Sequence, residues 1–163
     1  MVKGQMMTLE GIMGAILLFL VTYTLFQSSL VISPLWSEFS DAQMKQLAYD
    51  ALRVMDGNSS LNDSLKGMLI GLNSSFKPNE EFISSLEKLI RPANYRLEIY
   101  WVNGSKIESA VLVNNQPTPE AVAASRVVVL DNGDLSPDSP FYRPDGRSYT
   151  PIVVEVRLIV WRA

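Results

Sequence analysis

The sequence predicts an α+β protein: a long N-terminal transmembrane and stalk helix, then short helices packed on a four-stranded antiparallel sheet. Three observations carry this expectation. From Gly11 to Ile32 the chain runs 22 residues without a charge, and a helix rising about 1.5 Å per residue needs about 20 residues to cross a hydrocarbon core of ~30 Å. At Tyr95 the apolar period changes from helical to two, with Tyr95, Leu97, Ile99 and Trp101 on one side and Arg96, Glu98 and Tyr100 on the other. The segment Pro151 to Trp161 alternates in the same way, Ile152, Val154, Val156, Leu158 and Val160 sharing one face and Glu155 and Arg157 the other, which is the signature of a strand with one side on a core.

The charges around the apolar run set its direction. Lys3 precedes it, and the first charges behind it are Glu38 and Asp41, so the positive-inside rule predicts a single-pass cell-membrane protein with a cytoplasmic N-terminus and an extracellular remainder. Residues 1–4 read as a cytoplasmic leader, 5–33 as the transmembrane helix, 34–56 as an amphipathic stalk helix, and 57–163 as one extracellular α+β domain with its sheet from about residue 95. A secretory signal peptide fits poorly. Its apolar core is commonly ~7–15 residues and ends in a small-residue cleavage site, whereas this run is longer and ends in Val31-Ile32-Ser33-Pro34.

Proline removes a helical hydrogen bond and disfavours helical geometry in the residue before it, so Ser33-Pro34 predicts a kink or a restart. From Leu35 to about Met55 the helical period resumes, with Phe39, Met44, Leu47, Ala48, Ala51, Leu52 and Met55 in an apolar stripe. Asp56-Gly57-Asn58 reads as a helix stop. A second helix is expected from Leu61 to Leu72. A third runs from Pro78 to about Ile90, with Pro78 in its first turn and Glu80 and Glu81 near the positive end of the helix dipole.

After the strand that begins at Tyr95, Asn103-Gly104 is expected to make a two-residue hairpin turn, with Lys106 to Val113 as the return strand. A proline-containing loop leads through Ala121–Ser125 to a third strand, Arg126 to Leu130, and Pro151 to Trp161 closes the sheet. Asp131 to Thr150 between them lacks apolar periodicity. Loops beyond ~12–15 residues are usually functional or mobile, so this one is the best candidate for an outward contact surface. Phe141 and Tyr142 are expected to pin it to the domain. Asp131, Asp134, Asp138 and Asp145 raise a calcium reading, but the EF-hand spacing is absent and Asp-Gly and Pro-Asp pairs are ordinary turn formers. No metal site and no cofactor are expected.

Composition excludes several chemistries. The chain has no Cys and no His, which removes disulfides, thiolate nucleophiles, Cys/His zinc sites and the commonest general base. A net charge of −3 without a basic run argues against nucleic acid as a partner. No nucleophile–base pair or phosphate-binding glycine loop stands out, and the chain is not expected to be an enzyme. Four N-x-[ST] sequons, at Asn58, Asn62, Asn73 and Asn103, fall on the expected outer side. Two readings stay open for each: a glycosylation acceptor, or an Asn that caps a helix or makes a turn. Asn103 also serves the expected hairpin turn.

Lys3-Gly4-Gln5 directly before the apolar helix, with Thr8 and Glu10 in its first turns, resembles the class III signal of type IV pilins and archaeal pilin-like proteins. The resemblance implies cleavage by a prepilin peptidase between Gly4 and Gln5, leaving the apolar helix on the mature chain. In type IV pilins an acidic residue near the new N-terminus meets the free amine of a neighbouring subunit during assembly. Glu10 would be sixth in the mature chain, where the family pattern has its acid fifth. The alternative for Glu10 is a place in the headgroup layer, favoured by the positive end of the helix dipole. A carboxylate at the centre of the bilayer would cost ~2.5–3.5 kcal/mol.

Lys3-Gly4-Gln5, Thr8-Leu9-Glu10-Gly11, Ser33-Pro34-Leu35, Phe141-Tyr142 and the closing segment Val154 to Trp161 together resemble an uncharacterised family of archaeal pilin-like membrane proteins. Two functions are therefore expected. One is a structural subunit, major or minor, of an archaeal type IV pilus-like surface assembly, its partners being the membrane, other copies or pilin-like subunits, and the prepilin peptidase that processes it. The other is a single-pass envelope protein that displays an adhesion or interaction domain.

Overall fold

The computed structural model describes residues 2–57, 63–145 and 150–162, and within the first helix the side chains of 10–27 and 38–57. Helix α1 spans Val2–Gly57, α2 Leu65–Ile70 and α3 Glu80–Ile90; strands β1 Asn94–Asn103, β2 Lys106–Val113, β3 Val122–Asp131 and β4 Pro151–Trp161 follow, with a 3-10 turn at Asn132–Asp134. The chain divides into two compact units, Met1–Ser40 and Asp41–Ala163. The architecture is the expected α+β one. Helix α1 is unbroken across Ser33 and Pro34, so the expected restart does not occur. Proline's φ of about −65° is itself helical, and the helix loses one internal hydrogen bond without having to end.

The second unit is built on a sheet of order β2-β1-β4-β3 in which every neighbouring pair is antiparallel. The last strand in sequence sits in the middle. Its register places Leu158 beside Leu97 and Ala124, Val156 beside Ile99, Val154 beside Trp101 and Val128, and Ile152 beside Leu130. Because successive side chains alternate between faces, this register gathers one continuous apolar surface on the inner side. Onto it pack Ala48, Ala51, Leu52 and Met55 of α1, Leu65, Met68 and Leu69 of α2, and Phe82, Leu86 and Ile90 of α3, all buried. Each large side chain removed from water here stabilises the fold by roughly 1.5–3 kcal/mol.

Several boundaries differ from those read in the sequence, each for a local reason. The stripe on α1 packs from Met44 onward, and Phe39 is exposed. Helix α2 is shorter than expected because Ser64 caps it, its Oγ accepting from Gly67 N at 2.9 Å; Leu61 lies outside the described residues. Helix α3 starts at Glu80, not Pro78. Asn79 is its N-cap, Oδ1 accepting from Phe82 N at 3.1 Å, and this side-chain oxygen satisfies an orphan donor that proline would leave open.

The hairpin turn is Gly104-Ser105. Asn103 still pairs with Lys106 in the ladder, and Gly104 carries φ +62°, the type II′ arrangement with glycine in the first central position. Strand β3 runs from Val122 to Asp131, longer than expected. Pairing with β4 carries the ladder through Ala123, Ala124 and Ser125 despite the weak strand preference of their side chains. Arg126 on β3 clamps Asp56 near the end of α1, with Nε at 2.8 Å and an Nη at 2.6 Å from one carboxylate oxygen.

One end of the core is aromatic. Trp101 stacks on Phe76, with ring centroids 5.5 Å apart, and meets Phe141 edge-on at 5.4 Å. Trp101→Ala therefore opens a cavity that two rings border, and the full-length variant in detergent is expected to lose about 3–5 kcal/mol of stability. Near-ultraviolet circular dichroism through a urea titration measures it.

Candidate functional site

Helix α1 carries one stretch, Glu10–Gln27, long and apolar enough to cross a membrane, and none of it is buried within the chain. Leu17, Leu18 and Phe19 project from it exposed, at 65%, 70% and 74%. Its hydroxyls are satisfied inside the helix. Thr22 Oγ1 donates to Leu18 O at 2.6 Å, and Thr24 Oγ1 lies 3.0 Å from Leu20 O and 2.9 Å from Val21 O. Gln27 Nε2 donates to the Tyr23 hydroxyl at 3.0 Å. This back-bonding is what a helix in hydrocarbon needs, because lipid offers no hydrogen-bond partner. Glu10 is exposed at the start of the stretch and makes no hydrogen bond or ion pair with a described residue. A Cβ added at Gly11 or Gly14 meets nothing within 4 Å, so both backbones are open to close approach. Gly4 and Gln5 lie in α1, in the part of the helix where only the backbone is described.

On the second unit, the outer face of the central strands holds a charged and aromatic network. Arg96 Nε donates to Glu98 Oε1 at 2.5 Å and the Tyr100 hydroxyl to Glu98 Oε2 at 2.7 Å. Arg157 lies over the Tyr100 ring at 4.7 Å and 3.5 Å from Glu155. Burial pushes the Glu98 carboxyl up, but the hydrogen bonds from Tyr100 and Arg96 and the positive charges of Arg96 and Arg157 outweigh it and hold the group below its ordinary value. The Tyr100 hydroxyl is raised, first by its bond to Glu98 and then by burial. The opposite charges read on β4 thus belong to a larger, internally neutralised patch.

Tyr95, the second residue of β1, has its hydroxyl 3.4 Å from Glu87 Oε1 of α3 and its carbonyl accepting from Asn115 Nδ2 at 2.8 Å. The phenol is pushed up from 10.0 to about 12, first by burial and then by the charge and hydrogen bond of Glu87. Removal of its proton would place two anions side by side, so Tyr95 and Glu87 act as a structural pair.

The described part of the 131–150 loop is latched. Asn132 is buried; its Nδ2 donates to Arg143 O at 3.0 Å and its Oδ1 accepts from Arg143 N at 2.9 Å. Arg143 also donates from its guanidinium to Val102 O at 2.8 Å. Phe141 is buried against Trp101 and Tyr142 is half-buried on the core, so these two residues pin the loop as expected. Asp131, Asp134, Asp138 and Asp145 are exposed, and Asp134 pairs with Lys66 at 3.0 Å. Among the described residues no three acidic groups come together as metal ligands. Sequence reasoning missed Asn132: Asn-Gly reads as a turn, and that reading does not show that the Asn side chain is turned inward.

Of the four sequons, Asn58 and Asn62 lie outside the described residues. Asn73 is exposed in a turn, Oδ1 accepting from Ser75 N at 3.0 Å and from the Ser75 hydroxyl. Asn103 ends β1, and its Nδ2 donates to Glu108 Oε1 at 3.0 Å.

Comparison with known proteins gives a consistent picture. Residues 3–160 match a family model described as Family of unknown function (DUF7288). The chain is similar to an uncharacterized protein of Archaeoglobus fulgidus, 44% identical over 164 residues that cover 98% of this chain and 92% of the relative. No solved structure matches.

Two outcomes follow from this geometry. Asn132→Ala strips both hydrogen-bond partners from the Arg143 backbone and is expected to cost about 1–3 kcal/mol; limited proteolysis should then cut between residues 131 and 145 faster than in the parent chain. For Tyr95, the folded value lies above the unfolded one, so its neutral form contributes stability below about pH 10 that is lost as pH rises through about 12. Urea midpoints measured across that window should fall more steeply for the parent than for Tyr95→Phe.

Proposed function

We propose, for a chain that belongs to the DUF7288 family, a role as a structural subunit, major or minor, of an archaeal type IV pilus-like surface assembly that polymerises through its apolar N-terminal helix. The observation that carries this reading is Glu10–Gln27: an apolar stretch wholly uncovered by its own chain, opened by a carboxylate that no described residue neutralises. Such a surface calls for lipid or the same helix of neighbouring copies. In an assembly, Gly11 and Gly14 let helices approach closely, and the Glu10 carboxylate offsets a neighbour's terminal amine. Processing between Gly4 and Gln5 supplies that amine. The second unit is then displayed on the outer surface.

The internal bonding of Thr22 and Thr24 favours a second reading. A helix that satisfies its own hydroxyls is equally suited to remain in lipid as a single-pass anchor for an adhesion or interaction domain.

N-terminal peptide mass spectrometry on protein from native membranes separates the two. The expected mature chain begins at Gln5 in the parent and keeps its leader in Gly4→Val, and Glu10→Ala lowers the yield of sheared surface filaments seen by electron microscopy. An intact leader in the parent would sink the assembly model and leave the anchored domain.

A further inference from the structure

We propose that Asn73 is an N-glycosylation acceptor of this chain and that Asn103, which has the same sequon, is not. The inference rests on the reading that the second unit faces outward, where lipid-linked sugars are transferred. It stands on how differently the fold holds the two sequons.

Asn73-Ser74-Ser75-Phe76 is a tight turn closed by Phe76 N donating to Asn73 O at 3.0 Å. Asn73, Ser74 and Ser75 are exposed, and none of them belongs to a helix or a strand. Phe76 has φ +52°, a left-handed conformation that an aromatic residue rarely adopts, and its ring stacks on Trp101 with centroids 5.5 Å apart. The aromatic contact pins the base of the turn and presents the three residues before it to solvent. Within the turn, Asn73 Oδ1 accepts both the Ser75 N–H, at 3.0 Å, and the Ser75 hydroxyl. The hydroxyl that defines the sequon is therefore already on the acceptor side chain, and Nδ2 bonds to no described residue.

This arrangement suits the chemistry. A carboxamide nitrogen is a poor nucleophile because its lone pair is delocalised into the C=O bond. Two donors on Oδ1 draw electron density from the group and make an Nδ2–H proton easier for the transferase's base to remove. The Nδ2–C1 bond then forms as the C1–O bond of a lipid-phosphate-linked sugar breaks, and the lipid phosphate leaves with the electron pair. Asn103 is held against all of this. It pairs with Lys106 in the ladder, and its Nδ2 is already committed to Glu108 at 3.0 Å, so a transferase would have to open the hairpin to grip the backbone.

The test is peptide mass spectrometry of the full chain from membranes of its native host. The Asn73 peptide should carry a sugar mass that is lost in Asn73→Gln and in Ser75→Ala, kept in Ser75→Thr, and unaffected by Asn103→Gln. A bare Asn73 peptide, or sugar on Asn103 with Asn73 bare, overturns the inference. The chain has no native cysteine, so Ser109→Cys and a membrane-impermeant maleimide applied to intact cells report the sidedness separately. Labelling together with a bare Asn73 refutes the acceptor alone. Neither label nor sugar refutes the acceptor and the outward placement together.

Discussion

The second unit depends on the insertion of its last strand between two earlier ones. β4 has a neighbour on each side, and its inner face, Ile152 through Val160, is the surface that all three helices cover. A slip of one residue in either pairing would send that face to solvent and bring Glu155 and Arg157 against the helices, at a cost no local contact could offset. The register is fixed from both sides by burial.

The same logic of burial separates the two units. From Ala48 onward, α1 has an apolar stripe that the sheet and the short helices cover; from Glu10 to Gln27 it is apolar all round and exposed. One helix thus answers to two environments. In the apolar stretch the hydroxyls of Thr22 and Thr24 close on the helix itself; where the domain packs on it, an ion pair between Asp56 and Arg126 ties its end to the edge strand. The reading as an assembly subunit grows from this contrast, since a wholly uncovered apolar helix has to find its partner outside its own chain.

The polar groups of the domain are mostly spent on holding it together. Glu98 gathers Arg96 and Tyr100, Glu87 meets Tyr95, and Asn132 locks Arg143. Each shifted titration traces to burial together with a polar neighbour. Asn73 differs in kind, because its turn is anchored by the Phe76–Trp101 stack while its amide nitrogen bonds to no described residue.

The sequence by itself determined the apolar span, the change to strand periodicity at Tyr95, the buried face of β4 and the α+β class, because hydrophobic periodicity is a local record of which side of an element meets water. It also marked the pinning role of Phe141 and Tyr142, since aromatics in a polar loop must find a core. The caps at Ser64 and Asn79, the true hairpin turn at Gly104-Ser105, the extension of β3 through Ala123–Ser125 and the inward turn of Asn132 were decided by tertiary structure. In each case the choice lay between nearly equal local conformations. For the caps and the turn, what settled it was a bond to a residue two or three positions away that several neighbouring residues could equally have made; for β3 and Asn132 it was a partner distant in the chain, which no pattern within a few residues records.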